Sequence, residues 1–496
     1  MVGAGPGDAD LITMRGFAAL SKADVIVFDA LANTNLLDLA PADAERINVG
    51  KRGGDHTLSQ YEVNNLLVTK ADEGKHVVRL KGGDPYVFGR GAEEVTHVAG
   101  QGVACEVVPG VTAGIAAPMM AGIPVTHRDH ASCVVFVTGH EDPDKGQTSV
   151  DYKALAALIR GGGTACFYMS VARLSSIIAG LRANDLSSST PAAVIEWGCT
   201  PRQKTFRGTL SDVSSTGLNS PAIVVVGKVA AIEESGLGFY ALRPLFGQRV
   251  VITRTRQQSS LLRDKLAAVG ADVLEAPTIV IDEPDNWAPI DDAIKRVGDY
   301  DWLVLTSVNG VAAFDQRLRH LSMDARCLAS VKVATIGDAT ADAVADLLRI
   351  QPDLVPDNYV AEALAEALIK HGVKGKKMLL LRADIARQDL PELLSRAGAN
   401  ITEHHVYRTR LADGLPSNVL DALREKSIDW ITFTSSSTAR NMVELLGDEQ
   451  ELLNHLKTAS IGPITSRTMR ECGIDITVEA TTSNLDGLID SMMTAP

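Results

Sequence analysis

Three loops in the first half of the chain combine glycine and proline with a few polar side chains. Their sequences are GAGPGD at 3–8, RLKGGDP at 79–85 and VPGVTA at 108–113. Glycine lets the backbone approach a bound molecule closely, and Pro85 prevents the second loop from continuing as a helix. Such loops at the carboxyl ends of parallel strands form ligand-binding crevices. Each loop alone is better explained as an ordinary turn than as a site, whereas the three together predict a small-molecule site.

The glycine spacing of the first loop argues against a nicotinamide dinucleotide as the ligand. The pattern is G-x-G-x-G rather than the G-x-G-x-x-G of dinucleotide-binding folds, and Pro6 lies inside the turn. Only Met1 and Val2 stand before the loop, so either the start is trimmed or the first strand is very short. A nicotinamide-dependent dehydrogenase is therefore the weaker alternative for this half of the chain.

The second half carries short hydroxyl side chains at four places where a helix is predicted to begin. These segments are TSVNG at 306–310, GDAT at 337–340, TSSST at 434–438 and GPIT at 462–465. Helix N-termini with free N–H groups and nearby hydroxyls bind carboxylates well, although simple capping explains any single segment. No metal-ligand spacing and no Ser-His-Asp signature is present in this half, so we expect no metal.

The charge balance limits the partners of the chain. Its 496 residues include 48 basic and 61 acidic side chains, which give a formal net charge of −13. This balance excludes a general polyanion-binding surface, so we expect no nucleic acid partner. The longest apolar stretch, 113–125, is too short to span a bilayer, and no membrane partner is expected. Six scattered cysteines without a Cys-x-x-Cys pair, and no signal-peptide pattern, predict a cytoplasmic protein with reduced thiols.

The elements that position the first set of loops alternate between strands and helices. Short apolar runs and amphipathic helical stretches follow one another to about residue 190, which predicts a mostly parallel sheet covered by helices. The apolar runs lie at 25–28, 76–80, 103–108, 133–138 and 165–168. From about residue 192 strands dominate, which predicts a second and more antiparallel lobe. The segment 233–248 has three glycines, a proline and no regular period, and we interpret it as a linker.

The second half contains an internal repeat. VVITR at 250–254 matches MLLLR at 378–382, and DWLVLTS at 301–307 matches DWITFTS at 429–435, both 128 residues later. Two further matches follow in the same order, AVGADV with RAGANI and KVATIGDAT with KTASIGPIT. The repeat predicts duplication of a β-α-β-α unit and two similar lobes. A cleft between two lobes is a preferred place for a ligand.

The loops of the first half occur together with further motifs that are specific as a set. These are VGKRGG at 49–54, FGRG at 88–91, GIPVTHRD at 122–129, FYM at 167–169 and IEWGCT at 195–200. In this order and spacing, over about residues 1–235, the motifs resemble the uroporphyrinogen-III C-methyltransferases, which are S-adenosylmethionine-dependent tetrapyrrole methylases. The resemblance implies that S-adenosyl-L-methionine lies between two methylase lobes. The implied cofactor positions are Pro6, Gly82, Gly83, Asp84, Val87, Thr112, Ala113, Met169 and Gly198.

The same resemblance implies roles for charged residues. Asp29 and Lys51 fall at the acid/base positions of the family, with a surface carboxylate and a surface lysine as the alternatives. Lys51, Arg52 and Arg128 are expected to pair with the carboxylates of an octa-acid tetrapyrrole. Asp84 is expected to accept hydrogen bonds from the cofactor. Met169 either packs on its adenosyl part or is an ordinary core methionine.

Motifs of the second half resemble uroporphyrinogen-III synthase over about residues 247–493. They are ITR at 252–254, TSVNGV at 306–311, VYRT at 406–409, FTSSST at 433–438 and SIGPITS at 460–466. The resemblance implies closure of linear hydroxymethylbilane into a ring with inversion of ring D, in which Tyr407 assists departure of the hydroxyl group. A packed strand tyrosine is the alternative for Tyr407. The implied substrate-binding residues are Arg254, Thr306, Ser307, Thr340, Ser435, Ser436 and Thr465.

Together these patterns predict an α/β chain with two modules. A two-lobed methylase occupies 1–235, a linker 236–247, and a two-lobed, internally duplicated parallel-sheet synthase 248–496. Within the synthase, the resemblance implies one lobe from 248–283 plus 413–496 and another from 287–409. We predict a bifunctional enzyme that makes uroporphyrinogen III and methylates it twice to precorrin-2, for sirohaem or cobalamin, as a homodimer through the methylase half. The alternatives are a non-catalytic, tetrapyrrole-sensing second half and a methylase that acts on a later corrin intermediate.

Overall fold

The computed structural model describes residues 1–41, 43–50, 58–139, 149–213, 217, 219–233, 236–254 and 256–495. The chain forms two compact units. One contains Met1–Val250 with Arg263–Val273, and the other contains Val251–Leu262 with Leu274–Pro496. Throughout the described ranges, helices that combine the length and the apolar character needed to cross a bilayer are absent.

The first unit begins with a four-stranded parallel sheet in the order β1-β4-β2-β3. The strands are β1 Val2–Gly3, β2 Val25–Phe28, β3 Glu45–Asn48 and β4 Val77–Lys81. The accompanying helices are α1 Met14–Leu20, α2 Gln60–Asp72 and α3 Gly91–Gly100. Helix α2 begins in a capping box, because Ser59 accepts the Glu62 N–H while the Glu62 carboxylate accepts the Ser59 N–H. The predicted strand over 103–108 is wrong, since only Val108 forms an isolated bridge, with Val2.

A second, five-stranded sheet of the same unit has the order β5-β6-β9-β7-β8. Its strands are β5 Val134–Thr138, β6 Thr164–Tyr168, β7 Pro191–Glu196, β8 Lys204–Thr209 and β9 Ala222–Val226. The helices are α4 Ala113–Met120, α5 Tyr152–Arg160 and α6 Leu174–Arg182. Strands β5 and β6 are parallel, whereas the other pairs are antiparallel. The expected order, a parallel lobe followed by a more antiparallel one, is confirmed, but the expected change near residue 192 is wrong, because β5 and β6 already belong to the second sheet.

The second half of the chain forms two five-stranded sheets. One has the order β11-β10-β17-β18-β19. Its strands are β10 Arg249–Ile252, β11 Asp272–Glu275, β17 Trp430–Phe433, β18 Lys457–Ser460 and β19 Val478–Glu479. The helices that belong to this part of the chain are α7 Arg256–Ala268, α13 Ser417–Arg424, α14 Ser436–Leu446, α15 Pro463–Glu471 and α16 Leu485–Met493.

The other sheet has the order β12-β16-β15-β13-β14. Its strands are β12 Ile279–Asp282, β13 Trp302–Leu305, β14 Lys332–Thr335, β15 Lys377–Ala383 and β16 Asn400–Leu411. The helices are α8 Ala288–Lys295, α9 Val308–His320, α10 Asp338–Ala343, α11 Ala361–Lys370 and α12 Asp389–Arg396. Strands β13 and β15 are buried, apolar runs, as expected where helices cover both faces of a parallel sheet.

The duplicated segments exchange halves between these two sheets. Strand β10 corresponds in the repeat to β15, and β17 corresponds to β13, yet β10 shares its sheet with β17 rather than with β13. Each sheet therefore combines the first half of one repeat with the second half of the other.

The domain and lobe boundaries stay predictions, but one strand departs from them. The sequence expectation assigned 248–283 to the first synthase lobe, whereas Ile279–Asp282 (β12) pairs antiparallel with Arg408–Leu411 in the sheet of the other lobe. The reason is the length of β16, whose last residues run on beyond its parallel pairing with β15 and offer β12 a free edge.

Candidate active sites

The three glycine loops of the first unit meet backbone to backbone. Gly5 and Gly83 exchange N–H···O hydrogen bonds of 3.3 and 2.9 Å between their loops. A Cβ atom on Gly110 would overlap the Gly83 carbonyl oxygen and lie 2.8 Å from the Gly3 Cα. Because these neighbours are backbone atoms, the junction requires glycine rather than merely tolerating it. The predicted crevice is therefore formed by loops in direct contact.

Asp84 joins two of these loops. Its Oδ1 accepts the Tyr86 N–H at 2.8 Å, and its Oδ2 accepts the Gly110 N–H at 3.1 Å. Both oxygens thus already bind the backbone, although each carboxylate oxygen has a further lone pair. The structure assigns Asp84 a bracing role, and its expected hydrogen bond to the cofactor stays a prediction.

The remaining cofactor positions lie around the start of α4 and the end of β6. Thr112 is the N-cap residue of α4, and its hydroxyl lies 2.6 Å from the Tyr168 hydroxyl. Met169 follows at a positive φ of 51° and is 46% exposed, so it is not a core methionine. Gly198 packs on Ala117 of α4, where a Cβ would overlap the alanine side chain.

The residues at these positions, with the space beside Gly83, fit S-adenosyl-L-methionine. A Cβ on Gly83 would have the Ala113 nitrogen as its nearest neighbour, at 3.9 Å. The loop therefore leaves room on one side, next to backbone polar groups, and the partly exposed Met169 belongs to the same unit. Pro6 is buried, Gly82 has Leu31 as its neighbour, and Val87 packs against the core that contains α4. Polar backbone groups with one apolar contact suit a charged, nucleoside-like ligand.

Asp29 directly follows β2 and lies beside a buried charge cluster formed by Arg79, Lys81 and Glu94. Arg79 Nη2 lies 2.5 Å from Asp29 Oδ1, and Lys81 Nζ lies 3.7 Å from Oδ2. Glu94 is fully buried and accepts from Arg79 Nε at 3.0 Å and Lys81 Nζ at 2.7 Å. Asp29 is therefore a held carboxylate at the rim of a buried network rather than a free surface group.

Sequence reasoning missed the three buried members of this cluster. Burial acts to raise the pKa of Glu94, but the charges and hydrogen bonds of Arg79 and Lys81 outweigh it and lower that pKa. The available signal was the placement of two cations, at 79 and 81, inside an otherwise apolar strand. The predicted Lys51 and Arg52 lie outside the described residues, and Arg128 is exposed between α4 and β5.

In the second unit, Tyr407 of β16 contacts Ser307, which follows the carboxyl end of β13 in the same sheet. The Tyr407 hydroxyl lies 2.9 Å from Ser307 Oγ, which also accepts the Gly310 N–H at the start of α9. A register shift between Arg382 and Ala383 places Tyr407 opposite Ala383. Burial raises the pKa of the Tyr407 phenol, so it is a protonated hydrogen-bonding group at neutral pH.

The other sheet of this unit brings together Arg254 and the hydroxyl loop before α14. Arg254 Nε donates to Thr434 Oγ1 at 3.1 Å, and burial lowers the pKa of this guanidinium without neutralising it. Ser435 caps α14 by accepting the Thr438 N–H. Ser436 Oγ donates to the Ile464 carbonyl and accepts from Thr468.

Thr306, Thr340 and Thr465 occupy further strand and helix ends in the same unit. Thr340 and Thr465 hold corresponding positions near the starts of α10 and α15, and both are buried. Thr306 follows β13 and is half-buried. The residues predicted for the synthase site thus form two groups, one at each sheet. The first group contains Tyr407, Ser307, Thr306 and Thr340, and the second contains Arg254, Ser435, Ser436 and Thr465. Within the part of the chain that the structure describes, no cluster of three or more His, Cys, Asp or Glu side chains is arranged to hold a metal ion.

Two family models match the chain, one in each half. Residues 1–214 match the tetrapyrrole (corrin/porphyrin) methylases, and residues 260–490 match uroporphyrinogen-III synthase HemD.

Relatives match one or both halves. The porphyrin biosynthesis protein HemD of Ruminiclostridium josui is 35% identical over 498 residues, which covers 99% of this chain and 97% of the relative. The S-adenosyl-L-methionine-dependent uroporphyrinogen III methyltransferase of Methanosarcina barkeri is 47% identical and covers 47% of this chain and 92% of its own length. Siroheme synthase 1 of Yersinia pseudotuberculosis is 49% identical over 46% of this chain, which spans about half (48%) of that relative.

The fold and the two sites define a two-module α/β chain, with a tetrapyrrole methylase followed by a uroporphyrinogen-III synthase. The chain belongs to the family of porphyrin biosynthesis proteins in which these two modules are fused.

Proposed function

We propose that the chain catalyses two consecutive steps of tetrapyrrole biosynthesis. The second module closes hydroxymethylbilane into uroporphyrinogen III, and the first methylates this product twice with S-adenosyl-L-methionine to give precorrin-2. The observation that carries the proposal is the match to a fused relative over 99% of the chain. The glycine junction in one module and the Tyr407–Ser307 pair in the other support it.

In the methylase module, positioning accounts for most of the proposed catalysis. S-adenosyl-L-methionine supplies an electrophilic methyl group when bound. The loops around Gly83 and Gly110 hold the backbone groups that face it, and Met169 offers an apolar contact. Asp29, held by Arg79 and Lys81, provides a fixed carboxylate for the proton lost from the methylated macrocycle, with Lys51 as the partner acid/base group. Arg52 and Arg128 bind substrate carboxylates.

In the synthase module, carboxylate anchoring and shape selection carry the reaction. Arg254 and the starts of α14 and α15 offer a guanidinium and N–H groups to acetate and propionate side chains. Tyr407 donates a hydrogen bond to the departing hydroxyl group while Ser307 fixes its ring. The hydroxyls of Ser307 and Ser435 cap helices, so we assign substrate binding there mainly to the neighbouring backbone N–H groups.

The pathway branch, the compartment and the assembly form a further part of the proposal. We propose the sirohaem route, supported by the named activity of siroheme synthase relatives, and a cytoplasmic location. The cobalamin route shares precorrin-2 and is tested separately. We also propose a homodimer through the methylase half, supported by the exposed apolar side chains of Ile115 and Met119 on α4. Light scattering of the purified protein measures the assembly directly.

The decisive test supplies the purified full-length protein with hydroxymethylbilane and S-adenosyl-L-methionine and reads the products by mass spectrometry and isomer analysis. The expected product is a dimethylated macrocycle of the type III isomer. Formation of only the spontaneous type I macrocycle would overturn the synthase assignment and favour a sensor role. A type III macrocycle without added methyl groups would overturn the methylase assignment.

Replacing Met169 by alanine is expected to weaken methyl-donor binding with little loss of stability. The side chain is 46% exposed, so its truncation removes few core contacts. Loss of its apolar contact predicts an increase of about five- to tenfold in the Kd for S-adenosyl-L-methionine. Calorimetric titration measures this Kd, and Met14→Ala is the matched control because Met14 is 83% exposed. An unchanged Kd would remove Met169 from the donor site.

Replacing Tyr407 by phenylalanine is expected to slow cyclisation by about three- to tenfold, the range of one lost hydrogen bond. The ring and its packing are retained, so the free energy of unfolding should fall by only about 1 kcal/mol. A stopped-time assay of uroporphyrinogen III formation measures the rate, with Tyr300→Phe in the same core as the control. Unaltered cyclisation would leave Tyr407 as a packing residue.

A further inference from the structure

Tyr168 ends β6 immediately before Met169, and its phenol is buried. The hydroxyl lies 2.6 Å from Thr112 Oγ1 and 2.6 Å from the Gly114 nitrogen. It therefore connects the beginning of α4 with the end of a strand in the second sheet. Both connected segments carry predicted cofactor positions, namely Thr112 and Ala113 on one side and Met169 on the other.

The phenol replaces the usual cap of helix α4. A threonine at the N-cap position normally accepts an N–H of the first turn, but the Thr112 hydroxyl instead bonds to Tyr168. The N–H of Gly114, in the first turn of α4, donates to the phenol oxygen, which lies 54 positions later in the sequence. The conformation of this helix start therefore depends on a residue of the other sheet.

The surroundings of the phenol fix its orientation. A Cβ on Gly114 would collide with the Tyr168 hydroxyl and lie 2.9 Å from a ring atom of Phe136. The Tyr168 ring also packs against Phe88, with ring centroids 5.0 Å apart. Burial raises the pKa of Tyr168, so the phenol keeps its proton at neutral pH. Its oxygen accepts the Gly114 N–H, and the two hydroxyls of Tyr168 and Thr112 share a hydrogen bond. The aromatic contacts do not depend on the hydroxyl.

We infer that Tyr168 is a positioning residue of the methyl-donor site, whose hydroxyl holds Thr112–Gly114 in register with the strand end that carries Met169. The inference rests on the proposed binding of S-adenosyl-L-methionine by this module. Tyr168 acts through these two segments and does not itself contact the reacting atoms. Loss of the hydroxyl therefore weakens binding of the donor more than it slows turnover of the bound complex.

The test is Tyr168→Phe in the full-length protein, which removes one oxygen and keeps the ring. The Kd for S-adenosylhomocysteine and the KM for S-adenosyl-L-methionine should both rise about five- to tenfold. The kcat at saturating donor should stay within about twofold of the wild-type value, because the substituted atom lies outside the reacting groups. Tyr240→Phe is the matched control, since Tyr240 is another buried tyrosine of the same unit and has no assigned part in the site.

The outcomes separate this inference from the proposed function. If the wild-type protein binds neither S-adenosyl-L-methionine nor S-adenosylhomocysteine, the proposed function itself fails. If the wild type binds both and Tyr168→Phe binds them equally well, while losing stability as Tyr240→Phe does, the inference is overturned. Thr112→Val removes the other end of the bond and should weaken binding similarly, whereas Thr112→Ser should restore it. If Tyr168→Phe does not fold, the two Thr112 variants test the same inference.

Discussion

Replacing Gly110 by alanine is expected to reduce methyl transfer to below about 1% of the wild-type rate, while uroporphyrinogen III formation by the same chain continues. The added Cβ would overlap the Gly83 carbonyl oxygen and crowd the Gly3 Cα at 2.8 Å. No flexible side chain is available to move aside, so the loops must separate. Overpacking of this kind costs about 1–3 kcal/mol of folding free energy. The loop separation also displaces Asp84, whose carboxylate accepts the Gly110 N–H.

Coupled product analysis tests this expectation, because the synthase activity provides an internal reference in each sample. Gly100→Ala is the matched control. A Cβ there would meet no atom within 4 Å, and Gly100 lies at the end of helix α3, where alanine is the better helix former. It should leave both activities unchanged and raise the free energy of unfolding by at most about 1 kcal/mol. Wild-type methyl transfer by Gly110→Ala would show that the loop junction does not define the donor site.

The substitution Glu94→Gln is expected to lower the free energy of unfolding by about 3–5 kcal/mol, the largest stability effect that we predict. Glu94 is fully buried, and its carboxylate compensates Arg79 and Lys81, which are also buried. A glutamine keeps the shape but leaves two cations facing one partly exposed carboxylate, that of Asp29. We therefore expect loss of methyl transfer as well, because Asp29 is held by the same two cations.

The pH dependence of this effect follows from the lowered pKa of Glu94. A carboxylate with a depressed pKa in the folded state contributes stability that is fully present above its unfolded pKa of about 4.3. That stability is lost as the pH falls through the lower pKa of the folded state. The difference in unfolding free energy between wild type and Glu94→Gln should therefore be constant near pH 7 and shrink below about pH 4.

Denaturant unfolding followed across this pH range measures the difference. Glu106→Gln is the control, since the Glu106–Arg15 pair is 3.5 Å apart and largely exposed and should contribute less than about 1 kcal/mol. If Glu94→Gln is no less stable than Glu106→Gln, the buried charge cluster is not what holds Asp29.

The glycine junction shows which part of a site is predictable from sequence. Its glycines are visible in the sequence, and glycine is the residue type that tolerates close backbone contact. Three such loops at the ends of predicted strands indicate that the loops converge. The charge cluster shows the opposite case, because Arg79, Lys81 and Glu94 give no sign of their mutual contacts. Charged residues are usually exposed, whereas here Glu94 of α3 is paired with Arg79 and Lys81 of β4 and all three are buried.

Thr112 shows the same limit for a local motif. It occupies the N-cap position of α4, where a threonine normally supplies the capping oxygen, but here that oxygen comes from Tyr168. The sequence left two interpretations of Met169, a core residue or a site residue, and its exposure excludes the core. The cap partner of this helix start lies 54 positions away in the sequence, and the exposure of Met169 depends on the whole fold, so pattern analysis reaches neither.

The sequence by itself determined the two modules, their fold class, the duplication of the second module and the positions of the glycine-rich and hydroxyl-rich loops, because glycine spacing, apolar runs and repeats are local properties of the chain. The resemblance of the sequence to the synthase family already implied that the duplicated halves are exchanged between the two lobes. Only the tertiary structure decided that β12 joins β16, and that Asp29 and the start of α4 are held by residues from other strands. The physical reason is that strand neighbours, ion pairs and caps are chosen by burial and hydrogen-bond satisfaction over the whole fold. Those requirements act between residues that the sequence separates by tens of positions.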